Sequence, residues 1–509
     1  MIKKTNPIIY SDFPDPDIIR IEDTYYMIST TMHFTPGASI LRSYDLANWE
    51  LVGHVYDTLD DTPGQKLEGN SAYGQMMWAP TFRYNNGTFY LIFAANDTKK
   101  TYLFTTDDPE GTWSKSYIEG FYHDSSLLFD DDGRVYLAYG NYEIHLIELA
   151  KDLSGPKPGG LNRTIVVEDG DVRLGYEGAH LQKHNGKYYL FLINWPSGEG
   201  RRSEWCFIAD SLEGEFVGRK IINDDLGFFN NGVAQGGMID TPEGDWYLFM
   251  FQDRGAVGRI PILIPMEFDE DYPVIKNATI PLELSVKSIR PEYIYQPLNG
   301  SDDFNYQPEE KLKNFWQFNH QQNPELWSII KREDEKAFRV KTDKVVPNLT
   351  LAQNTLTQRT VGPKSSAMVT VDGSGMNIGD VAGLCILQGS YGAIALKKQA
   401  DAYCLVMMNR PGDYNGHMGG VWDESAPIVH EEIKIIKPVV RLKVEVDFTD
   451  LADKARFYYL ENNLWQPLGE VHQLYFKLDH FVGARFGLFM YSTKKVSGHV
   501  NFLHFKYEK

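Results

Sequence analysis

Cysteine is scarce in this 509-residue chain: Cys206, Cys385 and Cys404 stand far apart, outside any CxxC or histidine-rich context. An odd number at such spacing builds neither a disulfide framework nor a zinc site, so the three read as buried thiols, and no metal is expected on them. Long apolar runs are missing as well. No stretch of about 18 apolar residues occurs, and the opening MIKKTNPIIYSDFPDPDII breaks into Pro and Asp before a signal-like apolar core can form. A cytoplasmic protein without a membrane partner is expected. Basic tracts are also lacking. With 69 acidic against 50 basic residues the net charge is −19, a field that repels polyanions and argues against nucleic acid as a partner.

What the chain has in quantity is aromatic residues, 13% of the total with 30 Tyr and 28 Phe, a composition suited to β-rich folds and to surfaces that stack on sugars. Five short segments repeat one pattern: YYMIS at Tyr25, FYLIF at Phe89, VYLAY at Val135, YYLFL at Tyr188 and WYLFM at Trp246. Four follow a turn pair ending in Gly (Asn86-Gly87, Asp132-Gly133, Asn185-Gly186, Glu243-Gly244) and the first follows Glu22-Asp23, so each reads as the second strand of a hairpin. The tyrosines Tyr26, Tyr90, Tyr136, Tyr189 and Tyr247 are spaced by 64, 46, 53 and 58 residues, the length of a four-stranded blade with variable loops. An all-β, five-bladed β-propeller over residues 1–290 is therefore predicted.

Counting back 12 residues from the last four tyrosines lands on Trp78, Asp124, Glu177 and Gln235, and counting back 11 from Tyr26 lands on Asp15. Equivalent positions in a propeller lie at equivalent distances from its axis, so these five should converge on one central pocket. Three of them are acids. A carboxylate aimed into a strand-lined centre is costly unless it is hydrogen-bonded, paired or functional, and three in register argue for function. Asp15 stands between Pro14 and Pro16, which hold its segment extended. Two acids can serve as general acid and base, with a third raising its neighbour's pKa by like-charge repulsion, an arrangement that suits cleavage of a glycosidic bond.

Beyond Arg290-Pro291 the pattern changes to apolar–polar alternation, as in LKVEVDF from Leu442, ARFYYLENNLW from Ala455 and GHVNFLHFKY from Gly498. This predicts a β-sandwich of jelly-roll or lectin type over residues 301–509, joined by a linker at residues 285–300. The linker is not Gly/Ser-rich, so the sandwich should be a fixed part of the molecule that supplies a loop to the pocket rim. The glycine-rich, aromatic segment 410–422, RPGDYNGHMGGVW, is the candidate.

The segments NPIIYSDFPDPDIIR, MMWAPTFRYNNGTFYLIF, YHDSSLLFDDDGRVYLAYG, GYEGAHLQKHNGKYYLF and QGGMIDTPEGDWYLFMFQDRGAVGRIPILIP together resemble glycoside hydrolase family 43, the β-xylosidases and α-L-arabinofuranosidases. DDF at Asp302 and FWQFNHQQNPELWS at Phe315 extend the likeness to members with a C-terminal sandwich. The resemblance implies that Asp15 is the general base, Glu177 the general acid and Asp124 the residue that tunes its pKa. It further implies that Trp78 is the aromatic platform for the sugar and that Arg259 binds pentose hydroxyls. His180, three residues after Glu177, is either a further candidate for substrate contact or a satisfied core histidine. At Gln235 the chain departs from relatives that carry a histidine beside an axial metal or water cluster. Glutamine offers a carbonyl oxygen but a poorer anchor, so no cofactor is required and an axial calcium is left open.

The resulting expectation is an inverting exo-hydrolase that releases xylose or arabinose from plant-wall oligosaccharides, with a homo-oligomer left open. Two rival readings are a non-catalytic carbohydrate-binding propeller and a retaining, fructan-type propeller glycosidase. In the second, the carboxylate pair would lie about 5 to 5.5 Å apart instead of about 6.5 to 9.5 Å.

Overall fold

Each Tyr-centred segment is the second strand of its own four-stranded antiparallel sheet in the computed structural model, which describes residues 1–332, 335–410, 422–476 and 481–509. The second strands are Thr24–Ser29, Thr88–Ala95, Val135–Asn141, Lys187–Pro196 and Trp246–Asp253, and the five sheets span residues 17–56, 77–118, 126–167, 172–222 and 233–275. The hairpin turns follow from local chemistry. Asn86-Gly87 and Asn185-Gly186 both place two successive residues at positive φ, the backbone that a two-residue hairpin needs and that Asn and Gly tolerate.

The middle strands read as nearly continuous apolar runs because each blade packs against a neighbour on both faces. Ile28 and Ile40 of the first blade pack with Phe82 and Leu91 of the second, and equivalent clusters join the second to the third, the third to the fourth and the fourth to the fifth. The ring closes where Met27 and Leu41 meet Phe249 and Leu263. Closure is reinforced near the start of the chain: Ile2–Thr5 pairs with Glu283–Val286, and the Asn6 amide bonds to Leu263 through both its oxygen and its nitrogen.

The expected linker begins later than its composition suggests, since Ser285 and Val286 belong to the strand Glu283–Val286. The segment after it is pinned to the first blade. Gln296 N donates to Glu50 at 3.0 Å, and Tyr295 bridges Tyr44 N and Asp45.

The C-terminal half is a sandwich of two antiparallel sheets. One is built around Lys364–Asp372, Val439–Asp447 and His499–Glu508; along Val439–Asp447 the alternating Leu442, Val444 and Val446 turn into the core. The other runs in the order Ile428–Ile435, Tyr403–Arg410, Tyr391–Lys398, Asp380–Leu387, Arg485–Ser492, Leu356–Arg359, Gln317–Asn319. Its eighth, edge strand is Phe34–Thr35, contributed by the first propeller blade.

The junction is cemented by buried arginines. Arg485 bonds to Gln317 at 2.9 Å and lies 3.5 Å above the Phe34 ring, while Arg359 donates to the Asp12 carbonyl at 2.7 Å and lies over Phe13. Neither half is complete without the other. Residues 1–290 expressed alone should therefore expose Phe34 and Phe13, leave the Asp12 carbonyl without its Arg359 donor, and aggregate or lose activity. A soluble fragment turning over at the rate of the full chain, by sedimentation and assay, would refute this coupling.

Candidate active site

The first strands bring the repeat positions together by a shared backbone device. Asp15, Asp124 and Gln235 have φ of 48°, 46° and 63°, and the residues following Trp78 and Glu177, namely Ala79 and Gly178, have 30° and 66°. In the strands bearing Trp78, Glu177 and Gln235 the ladder register also slips at this point. Left-handed backbone is unfavourable for residues with a Cβ, costing roughly 1–2 kcal/mol each. That cost is borne in four blades, with Gly178 adopting the same backbone freely in the other, and the five side chains turn inward.

They line one cavity of about 250 Å³ together with Met32, His123, Asn141, Arg173, Arg202, Arg259 and Phe481. That volume falls below the roughly 300–1,000 Å³ of sites for drug-sized ligands and suits a single sugar unit. A larger hollow of about 550 Å³ on the sandwich has lysines on its rim and no acid in its lining.

Asp15 is buried, and its Oδ1 accepts a 2.7 Å hydrogen bond from Arg259. The same guanidinium sits over the rings of Phe251 and Phe481. Asp253 joins Arg259 at 3.5 Å to Arg202 at 2.5 Å, so both buried arginines are neutralised within the wall. Asp124 Oδ2 accepts from Gly178 N at 3.1 Å, tying it to the peptide beside Glu177, and Glu177 Oε2 accepts from Asn141 at 2.5 Å. His123 Nε2 lies 3.7 Å from both Asp124 and Glu177.

These proximities set the titration. Burial, reinforced by the charges of Glu177 and Asp15 against the opposing His123 and Arg259, pushes Asp124 up to about 6. Burial works against a charged His123, but Asp124 and Glu177 outweigh it and raise that imidazole to about 9. Of the two carboxyls beside His123, Asp124 is the more deeply buried, with 7% of its side chain exposed against 18% for Glu177.

Trp78 stands at the wall, edge-on to Phe481 at 6.0 Å, with its Nε1 donating to Gly74 O. Gln235 lines the cavity while its backbone N–H donates to Glu204, a fully buried carboxyl that burial pushes well up. His180 is a correction: it does not line the cavity but lies beneath it, Nδ1 3.4 Å from Asp17. Asp17 also accepts from Phe82 N and Arg83 at 2.7 Å; although burial opposes its charge, Arg83 and His180 lower it to about 2. His180 thus completes a buried polar network that binds the first, second and fourth blades.

The described residue through which the sandwich reaches the cavity is Phe481; of the expected loop, 410–422, residues 411–421 lie outside the described residues. Asp12 fixes this approach, since its carboxylate accepts from Arg259 N at 2.8 Å and Gly483 N at 3.1 Å. Phe481 carries no local signal in the sequence, whereas His123 could have been found from its place beside Asp124.

As for a metal, the described His, Cys, Asp and Glu side chains form one cluster with ligand spacing, His123, Asp124 and Glu177. Calcium takes about six to eight oxygen ligands. Two carboxylates already bonded to Asn141 and Gly178 and one imidazole fall short of that set.

The model of the glycosyl hydrolases family 43 matches residues 4–273, the span that carries every cavity residue except Phe481. The chain belongs to family 43. Residues 301–508 of this family 43 glycoside hydrolase match the β-xylosidase C-terminal concanavalin A-like domain. It is 27% identical to a β-xylosidase of Formosa agariphila over 77% of this chain and 74% of that protein. Among solved structures it resembles the bifunctional GH43-CE protein of Bacteroides eggerthii (40% identity, TM-score 0.89), covering 99% of this chain but only 63% of that one. It also resembles a GH43 glycoside hydrolase engineered to display both endo-xylanase and exo-arabinofuranosidase activity (26% identity, TM-score 0.88, 99% of both chains).

Proposed function

We propose that this family 43 hydrolase removes single xylose or arabinose units from the ends of xylan- or arabinoxylan-derived oligosaccharides, with inversion at the anomeric carbon. The observation that carries the reading is a cavity sized for one sugar that gathers Asp15, Asp124 and Glu177 between Trp78 and Arg259. The related β-xylosidase and the engineered arabinofuranosidase point to pentose as the sugar.

In this mechanism Arg259 occupies one oxygen of Asp15, leaving the other to take a proton from water on the face opposite the departing group. Glu177 donates a proton to the glycosidic oxygen. Asp124 shares and tunes that proton from a more buried position, and Asn141 orients the Glu177 carboxyl. Trp78 and Phe481 form the aromatic wall that excludes water and stacks on the sugar.

Hydrolysis of p-nitrophenyl β-D-xylopyranoside and α-L-arabinofuranoside side by side, with proton NMR within minutes of mixing, tests both parts. At least one should be cleaved, and the first anomer seen should be inverted. Retention would mean a covalent intermediate and overturn the role of Asp15.

The pH profile is a second test. With Asp124 pushed to about 6, activity should fall as pH rises through about 6, because the proton held between Asp124 and Glu177 is then lost. Two substitutions should move this limb in opposite directions. Asp124→Asn removes a like charge that keeps a proton in the cavity and should shift the fall to lower pH, with a slower rate. His123→Ala removes the cation that favours the charged carboxylates and should shift it to higher pH. Profiles of kcat/KM for the two variants moving together would contradict the assignment.

A further inference from the structure

The loop between the second and third strands of the first blade runs from the cavity to the sandwich within four residues: Met32 lines the cavity, and Phe34–Thr35 is an edge strand of the sandwich sheet. Between them lies His33, fully buried. Its two ring nitrogens face opposite halves of the molecule. Gly74 N donates to His33 Nδ1 at 3.0 Å on the propeller side, and His33 Nε2 is 2.8 Å from Asn319 Oδ1 on the sandwich side. A backbone N–H can only donate, so Nδ1 must accept, which places the ring proton on Nε2 and directs it to Asn319. The carbonyl of Gly74 in turn accepts from Trp78 Nε1 at 2.7 Å.

We infer that Asn319, a residue of the sandwich, positions the sugar platform Trp78 through His33 and Gly74. Asn319 accepts the His33 Nε2–H, His33 Nδ1 holds the Gly74 N–H, and the Gly74 carbonyl, on the following peptide, holds the indole. Gly74 sits at φ 70°, in the left-handed backbone that presents its N–H to His33. The relay is clamped from the side: His33 stacks between Tyr73 and His320, at 4.3 and 4.6 Å, and His320 Nε2 lies 3.1 Å from Ser71 Oγ. Asn319 is itself held in register, its N–H donating to Thr355 O and its strand paired with Phe34. Asn319 is thus a positioning residue for substrate binding, and the sandwich contributes to the cavity by this internal route as well as through Phe481. The inference rests on Trp78 meeting the sugar, as in the function proposed above.

The test combines a spectroscopic and a kinetic measurement on the full chain. In 15N-tryptophan-labelled protein the Trp78 indole signal, identified by its disappearance in Trp78→Phe, should move in Asn319→Leu while Tm changes little. On whichever p-nitrophenyl pentoside is cleaved, Asn319→Leu should raise KM about fivefold, the scale of one weakened aromatic stack, with kcat less affected. Introduced into Trp78→Phe, which keeps a ring but has no indole N–H, the same change should add little. Should Asn319→Leu fail to fold, the smaller change Asn319→Ser serves the same comparison. An unmoved indole signal, or full additivity of the two substitutions, overturns the relay. Failure of the unaltered protein to cleave either pentoside would instead refute the proposed function, leaving the indole signal to decide the relay.

Discussion

Asp15→Ala should abolish hydrolysis of every pentoside, activated or not, with kcat/KM falling by about 10³- to 10⁴-fold, the scale of a lost general base. The uniformity across substrates is the informative part. Every glycoside needs an activated water, so no improvement in the leaving group can compensate for a missing base. The geometry adds a second consequence. Asp15 is the ion partner of Arg259, so the alanine variant leaves a buried guanidinium with only Asp253 beside it, at 3.5 Å. Breaking a buried pair from one side is strongly destabilising, and Tm should drop along with activity. Asp15→Asn separates the two effects: it offers an acceptor to Arg259 but cannot take a proton. Near-native Tm with the same loss of rate is expected, measured by thermal melt and steady-state kinetics on one preparation.

Glu177→Ala should divide the substrates. Against xylobiose or an arabinoxylan fragment, whose leaving alcohols need a proton, the rate should fall about a thousandfold, near 4 kcal/mol of transition-state stabilisation. Against p-nitrophenyl pentosides, whose leaving group departs as an anion, the loss should be about tenfold or less. The substitution also frees Asn141 and removes one of the two carboxylates that keep His123 charged, so His123 should titrate at lower pH in the variant, visible in its imidazole NMR signals. Equal losses on both substrate classes would assign the proton donation elsewhere in the cavity. Asp124, within the same His123 contact, is then the group to test next.

Much of this protein is legible in its sequence because the relevant rules are local. A hairpin with an Asn-Gly turn and an apolar second strand specifies itself over about a dozen residues, and repeating it five times specifies a ring. Register does the rest. A fixed count from each Tyr to the same level of the preceding strand marks Asp15, Trp78, Asp124, Glu177 and Gln235 as neighbours without coordinates, and all five line one cavity.

What only tertiary structure decides depends on residues far apart in the chain. His180 shares a strand with Glu177, but the register slip between them leaves it facing the buried Asp17. Arg259 reaches Asp15 across 244 positions, and Phe481 enters the cavity from the other half of the molecule. The distribution of protons has the same origin. Charges interact through space, and burial is a property of the packed molecule; Asp124 is pushed upward by its enclosure and by the charges of Glu177 and Asp15, which composition and spacing could mark as neighbours but not weigh against His123 and Arg259.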